Sequence, residues 1–174
     1  MENYFCKIAG RDELLARWDY LIGIHPGSAA WVGYRGLALR NFDNGHAITY
    51  LGFLNGESIC EATAYTHPDA FLGDIREPSG LLDGGMAYLA AFRTNREYEG
   101  LGYFGALYRF LEADLRARGY TELSLGVGLE DVCDMEIYFH LGFREYLKTL
   151  VERDGPKEEV ILFYQKRLLT CRSN

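Results

Sequence analysis

Between residues 86 and 127 the chain runs through an apolar stretch, Met86 to Thr94, and then a glycine-rich turn, Tyr98-Glu99-Gly100-Leu101-Gly102-Tyr103-Phe104-Gly105. An amphipathic segment and a second apolar stretch, alternating at Leu123, Leu125 and Val127, follow. Phe104, Leu107, Tyr108, Leu111 and Leu115 recur at helical spacing and Gly119 stops the run, so residues 103–118 are predicted to be a helix. Strand, helix and strand in succession imply two parallel strands joined by a crossover. Where a strand gives way to a helix, backbone N–H groups converge and the helix dipole favours negative charge, which makes the turn a ready site for phosphate. Glycines let an anion approach those amides closely. The plainer reading is a glycine turn that serves only to enter the helix.

The spacing Gly100-x-Gly102-x-x-Gly105 also fits a dinucleotide-binding fingerprint, which requires an acid about 20 residues further on, at the end of the next strand. Glu122 stands before that strand and Glu130 comes late. Only one strand–helix–strand unit is present, so this alternative fits poorly.

Around this centre the chain reads as one domain, residues 1–174, with no internal repeat or linker. Asp12 and Glu13 open a helix over 12–23 that places Leu14, Trp18, Leu21 and Ile22 on one face, and a weaker helical stretch runs from Ser28 to Leu39 past Gly33 and Gly36. His46–Leu54 and Ser58–Thr66 flank Asn55-Gly56 and are predicted to pair as a hairpin. Thr66 to Gly85 is a long turn-rich connection. After the second parallel strand, Asp131 can cap a short helix that ends before Gly142. Strands near Phe143–Glu152 and Glu159–Lys166 then flank a turn at Asp154-Gly155-Pro156.

Composition narrows the partners. Hydrophobic residues at 48% and charged residues at 25% are those of an ordinary globular chain. A net charge of −7 argues against a nucleic-acid partner. Cys6, Cys60, Cys133 and Cys171 form no metal-binding pair, which fits a reducing cytoplasm. His25, His46, His67 and His140 are dispersed, so no metal is expected. No export signal or membrane-spanning run is visible, and a homodimer is left open.

Tyr138-Phe139-His140-Leu141-Gly142-Phe143 closes the short helix, and together with the glycine turn it resembles the GNAT superfamily of N-acetyltransferases. Members have a loop reading Arg/Gln-x-x-Gly-x-Gly/Ala after the fourth strand, a long helix, a fifth strand, and a helix ending in Tyr-x-x-Leu-Gly-Phe. The resemblance is carried by residues 86–143, extends over the terminal hairpin to 166, and is architectural over 1–66. It implies an α/β (mixed α+β) domain with a central, mostly antiparallel sheet flanked by helices and one parallel pair joined by the crossover helix. It also implies acetyl transfer from acetyl-coenzyme A to a primary amine by direct attack through a tetrahedral intermediate. Amides of Gly100, Leu101, Gly102, Tyr103, Phe104 and Gly105 would hold the cofactor's pyrophosphate. The backbone of Phe92, Arg93 and Thr94 would hold its pantetheine arm, with one N–H facing the thioester oxygen. Tyr138 stands where the family keeps the acid that protonates the departing thiolate; the alternative is a packed core tyrosine. Asp131 stands where the family often has Asn, or simply caps its helix. Two loop positions depart from the family: Glu99 replaces Arg or Gln, and must turn to solvent or pair with Arg93 or Arg96. Phe104 replaces a small residue, which is tolerable if its side chain joins the core face of the helix.

Attack requires a neutral amine. Glu61, sharing a strand face with Ile59, Thr63 and Tyr65, is the best sequence candidate for a base; an exposed strand acid, Asp83 or water are the alternatives. Trp18, Tyr20, Trp31, Tyr34 and Phe42 lie in the segment that in the family lines the acceptor pocket, or else belong to the core. Antibiotic, polyamine, amino acid and protein N-terminus all fit as acceptor. The acidic group Glu130, Asp131, Asp134 and Glu136 favours a small cationic amine, unless it is merely a solvated face. A non-catalytic acyl-coenzyme A sensor or adaptor on the same fold is the alternative function.

Overall fold

The computed structural model describes residues 3–70, 82, 85–154 and 157–168. Seven strands form one sheet in the order β1-β2-β3-β4-β5-β7-β6, with β1 Tyr4–Ile8, β2 Ala47–Leu54, β3 Glu57–Tyr65, β4 Met86–Thr94, β5 Glu122–Gly128, β6 Glu145–Asp154 and β7 Lys157–Arg167. Every neighbouring pair is antiparallel except β4 and β5, which are parallel. The helices are α1 Arg11–Ile24, α2 Ala29–Asp43, α3 Tyr103–Ala117 and α4 Val132–His140. This is the expected mixed α+β architecture, with α3 as the crossover. No helix among the described residues is long and apolar enough to cross a membrane.

The β2–β3 hairpin turns at Asn55-Gly56, where φ is +52° and +87°. Two consecutive positive φ values are what a tight hairpin twist demands, and Asn-Gly tolerates them best. The predicted turn at Asp154-Gly155-Pro156 lies outside the described residues at 155–156, as do 71–81 and 83–84 of the long connection.

Two apolar layers sandwich the sheet. On one face Leu107, Tyr108, Leu111 and Leu115 of α3 pack against Tyr50, Cys60, Ala62, Ala64, Ala87, Leu89, Leu123 and Leu125. Leu107, Leu111 and Leu115 are fully buried, each worth about 1.5–3 kcal/mol relative to exposure. On the other face Leu14, Trp18 and Leu21 of α1 meet Leu51 and Phe53, and Trp31, Ala38, Leu39 and Phe42 of α2 close over them.

Two elements differ from the sequence-based expectation. α2 continues to Asp43 in spite of Gly33 and Gly36, because its apolar side chains gain more by docking on α1 and β2 than the glycines cost. β1 was not anticipated at all. Five residues interrupted by Lys7 carry little strand signal, and pairing with β2 from Tyr4↔Leu54 to Ile8↔Tyr50 supplies what local propensity does not.

Candidate active site

A break in the sheet defines the site. β4 pairs with β5 through only Met86↔Glu122, Ala87↔Leu123 and Tyr88↔Ser124, after which β5 continues with β7 alone, as far as Gly128↔Ile161. From Leu89 onward the two parallel strands part. On its other edge β4 slips against β3: Glu61 faces Arg93 but Thr63 faces Ala90, so Ala91 and Phe92 together oppose Ala62. That is a bulge, and Ala91 takes φ +56°, a left-handed conformation costing a non-glycine residue about 1–2 kcal/mol. The extra residue reverses which side chains point where. Before the bulge Ala87 and Leu89 face α3; after it Phe92 does, and Arg93 faces α1.

The glycine turn lies at the end of this opened edge. Gly100 (φ +72°) and Gly102 (φ +86°) are left-handed, and nothing lies within 4 Å of where a Cβ would stand at either. Ala106 N–H donates to the Gly102 carbonyl, so the amides of Tyr103, Phe104 and Gly105 at the start of α3 have no acceptor within the helix. Open glycines and orphan amides together fit an anionic group such as a pyrophosphate. Glu99 is exposed to solvent and Arg93 is paired elsewhere, so the departure at Glu99 does not place a carboxylate in the core of the turn. Leu101 is exposed.

Three elements converge behind the turn. The Phe92 ring lies 5.0 Å from Phe104, 6.2 Å from Tyr108 and 5.7 Å from Tyr138, joining β4, α3 and α4 across the parted strands. Phe104 thus joins the core face of α3, and its side chain points away from the turn's amides. Tyr103 packs on Tyr4 at 4.8 Å, and the Tyr4 hydroxyl donates to the Tyr103 carbonyl at 2.9 Å. Asp131 occupies the N-cap position of α4 but makes no side-chain cap, contrary to the plainer expectation. Its Oδ2 lies against Gly128, 2.6 Å from where a Cβ there would be, so the carboxylate uses the space of the missing side chain.

On the opposite face of the bulge lies a buried charge cluster. Glu61 is 2% exposed; its Oε2 accepts from Arg17 Nε at 2.8 Å and its Oε1 accepts from Arg93 Nη1. Arg17, itself 2% exposed, also donates to the Ser58 carbonyl at 3.1 Å and to Asn95 Oδ1 at 2.7 Å. The Arg93 guanidinium carbon lies 5.4 Å from the Trp18 ring and 5.0 Å from that of Trp31, on whose ring His25 stacks at 4.1 Å. Burial pushes the nearby Tyr65 phenol up, with Arg93 acting in the opposite direction. Of the expected companions on its face Tyr65 lies nearby, but Ile59 packs in the α3-side core because a register slip between β2 and β3 falls at that residue, and Glu61 has both oxygens occupied by guanidinium donors.

The remaining candidates are spread out. Asp83 lies outside the described residues. Glu130, Asp131, Asp134 and Glu136 are all exposed around α4, and partial burial, then the Asp131 carboxylate, raises the Asp134 carboxyl. Trp18, Tyr20, Trp31 and Phe42 belong to the α1–α2 core, whereas Tyr34 is largely exposed. No metal-binding group occurs among the described residues. Sequence reasoning missed Arg17, Asn95 and Ala91. Arg17 had a signal: a charged residue inside the Leu14, Trp18, Leu21 stripe needs a buried partner.

No protein-family model matches the chain, and no curated protein matches it in sequence. Solved structures do match in fold. An acetyltransferase of the GNAT family from Staphylococcus aureus Mu50 shares 15% identity over 95% of this chain and 99% of its own, with a TM-score of 0.67. The ribosomal-protein-alanine N-acetyltransferase from Brucella melitensis shares 17% over 94% and 99%, with a TM-score of 0.67. The Salmonella typhimurium protein yncA, solved with its cofactor acetyl-CoA, shares 14% over 98% and 96%, with a TM-score of 0.65. The chain has the fold of the GNAT acetyltransferases over nearly its full length.

Proposed function

We propose that the protein transfers an acetyl group from acetyl-coenzyme A to the primary amine of a small acceptor. The observation that supports this reading is the opened edge of β4, which ends at a glycine turn with open space and orphan amides at the start of α3 and has Tyr138 across the gap. When bound, acetyl-coenzyme A supplies an activated thioester. The orphan amides of Tyr103, Phe104 and Gly105, with those of Gly100 to Gly102, hold the pyrophosphate. Those main-chain groups in the segment Phe92, Arg93 and Thr94 that face away from β3 would align the arm, and one N–H there would stabilise negative charge developing on the thioester oxygen. The amine nitrogen would bond to the acetyl carbon first, and the carbon–sulfur bond would then break to release the thiolate. The sulfur takes a proton from the Tyr138 hydroxyl, and the proton shed by nitrogen returns to the phenolate through water. Glu61 positions Arg17 and Arg93 in this scheme and leaves amine deprotonation to water.

Acetyl-coenzyme A at 100 times its dissociation constant should stabilise the fold by about 2.7 kcal/mol in a thermal unfolding experiment. Tyr138→Phe should keep that stabilisation while lowering the rate of thiol release about 10²–10⁴-fold. Absence of any shift at millimolar cofactor refutes the reading. A binding-only sensor on the same fold would show the shift yet release no thiol with any amine.

A further inference from the structure

On the α1 face of the bulge, two guanidinium groups share one carboxylate. Arg17 and Arg93 both bind Glu61, so the cluster carries a formal excess of one positive charge. Its hydrogen bonds are unbalanced in the same sense. An arginine has five N–H donors. Arg17 finds Glu61, the Ser58 carbonyl and Asn95 Oδ1, whereas among the described residues only one donor of Arg93 is taken, by Glu61. The Asn95 side-chain nitrogen beside Arg17 is buried without an acceptor. The two arginines also differ in access: the Arg17 side chain is 1% exposed, that of Arg93 28%. The surplus donors and the surplus charge therefore reach solvent at Arg93, beneath the Trp18 and Trp31 rings.

That position adjoins the proposed chemistry. Phe92 and Arg93 are successive residues on opposite faces of the opened edge; Phe92 packs with Phe104 and Tyr138 on the side of the glycine turn. Phe104 and Tyr138 pack on Phe92 from the α3 and α4 side, whereas the Arg93 guanidinium, 28% exposed, meets solvent on the α1 side. We infer that Arg93 is the acceptor anchor: the amine acetylated here carries a carboxylate, which docks on the outer edge of the Arg93 guanidinium, while its apolar body lies against Trp31. A planar guanidinium with free parallel donors matches a carboxylate, and aromatic walls strengthen the pairing by excluding water. This replaces the cationic acceptor expected from the acidic group around α4, whose exposed carboxylates are screened by salt. The inference rests on the acetyltransferase reading.

The test compares matched primary amines in three series, small, aliphatic and aromatic: the amino acid, its amide and the decarboxylated amine. Thiol release from acetyl-coenzyme A is followed in each case. In at least one series the amino acid should exceed its amide and its amine tenfold or more in kcat/KM, with the difference in KM. Arg93→Gln should raise KM for the amino acid at least tenfold more than it raises KM for the matched amide; Arg93→Lys should restore part of that difference. If Arg93→Gln does not fold, the wild-type preference and Arg93→Lys decide. Amides or decarboxylated amines used as well as amino acids would overturn the anchor and leave the acetyltransferase standing. Neither cofactor stabilisation nor thiol release with any amine would overturn both.

Discussion

The Tyr4 hydroxyl, on the edge strand β1, donates a 2.9 Å hydrogen bond to the main-chain carbonyl of Tyr103, the first residue of α3. The same oxygen lies 3.3 Å from Cys60 Sγ and accepts from Cys6 Sγ at 3.4 Å. Burial, then the bonds to the two thiols, pushes the phenol far up, so the proton stays on and the hydroxyl remains a donor throughout the working pH range. Space for it comes from Gly52, where a Cβ would stand 2.2 Å from the hydroxyl. Tyr4→Phe should lower stability by about 0.5–1.5 kcal/mol in urea unfolding and raise KM for acetyl-coenzyme A, because the start of α3 loses a tether.

Ala91 stores strain in the bulge. Ala91→Gly removes the Cβ from a left-handed position and should raise stability, because the roughly 1–2 kcal/mol of strain it relieves exceeds the about 0.4–1 kcal/mol lost to a freer unfolded chain. Ala91→Val, branched at Cβ, should cost at least about 1–3 kcal/mol. If the valine chain escapes by giving up the bulge, Arg93 swings to the α3 face and thiol release falls more than stability does. Unfolding curves and initial rates on the same samples separate these effects.

Glu61→Gln distinguishes positioning from proton transfer. Removal of the charge leaves Arg17 buried beside a neutral amide, and breaking a buried pair of this kind costs about 3–5 kcal/mol. Stability should drop by that amount, with the rate per folded molecule reduced less than tenfold. If Glu61 instead took the amine proton, the rate would fall about 10²–10⁴-fold.

Stability at acid pH has a contributor at the start of α1. Glu13 Oε1 accepts from Lys7 at 2.7 Å and its Oε2 accepts from the Gly10 amide at 2.9 Å, and these bonds, Lys7 first, hold its carboxyl below the ordinary glutamate value. A carboxyl lowered on folding stabilises above its unfolded value, and the contribution is lost as pH falls through the folded one. Glu13→Gln should therefore flatten the acid limb of the stability profile and leave little difference below it. The comparison is of unfolding midpoints for both proteins from neutral pH downward.

The strand–turn–helix–strand order was legible because each part announces itself locally: Asn55-Gly56 can form few other turns, and Leu107, Leu111 and Leu115 fix the buried face of α3. The glycine turn was legible for the same reason. The charge cluster was not, since Arg17, Glu61 and Arg93 come from α1, β3 and β4 and Asn95 from the residue after β4, up to 78 residues apart, and they meet only through sheet register. The bulge was equally hidden. Ala91 carries no mark of a positive φ, and one residue of slip decides whether Arg93 or Phe92 faces α1.

Three residue pairs join β4 to β5, and α3 clamps that junction from one side. The sheet is therefore two leaves, β1-β2-β3-β4 and β5-β7-β6, joined by a short spine at the Met86 end. At the other end no ladder links the leaves, and only side-chain packing such as that of Phe92 on Tyr138 spans the gap. Main-chain amides of residues 89–94 that face the gap should exchange with deuterated water faster than those of residues 60–64 in the free protein, and slow when the gap is filled.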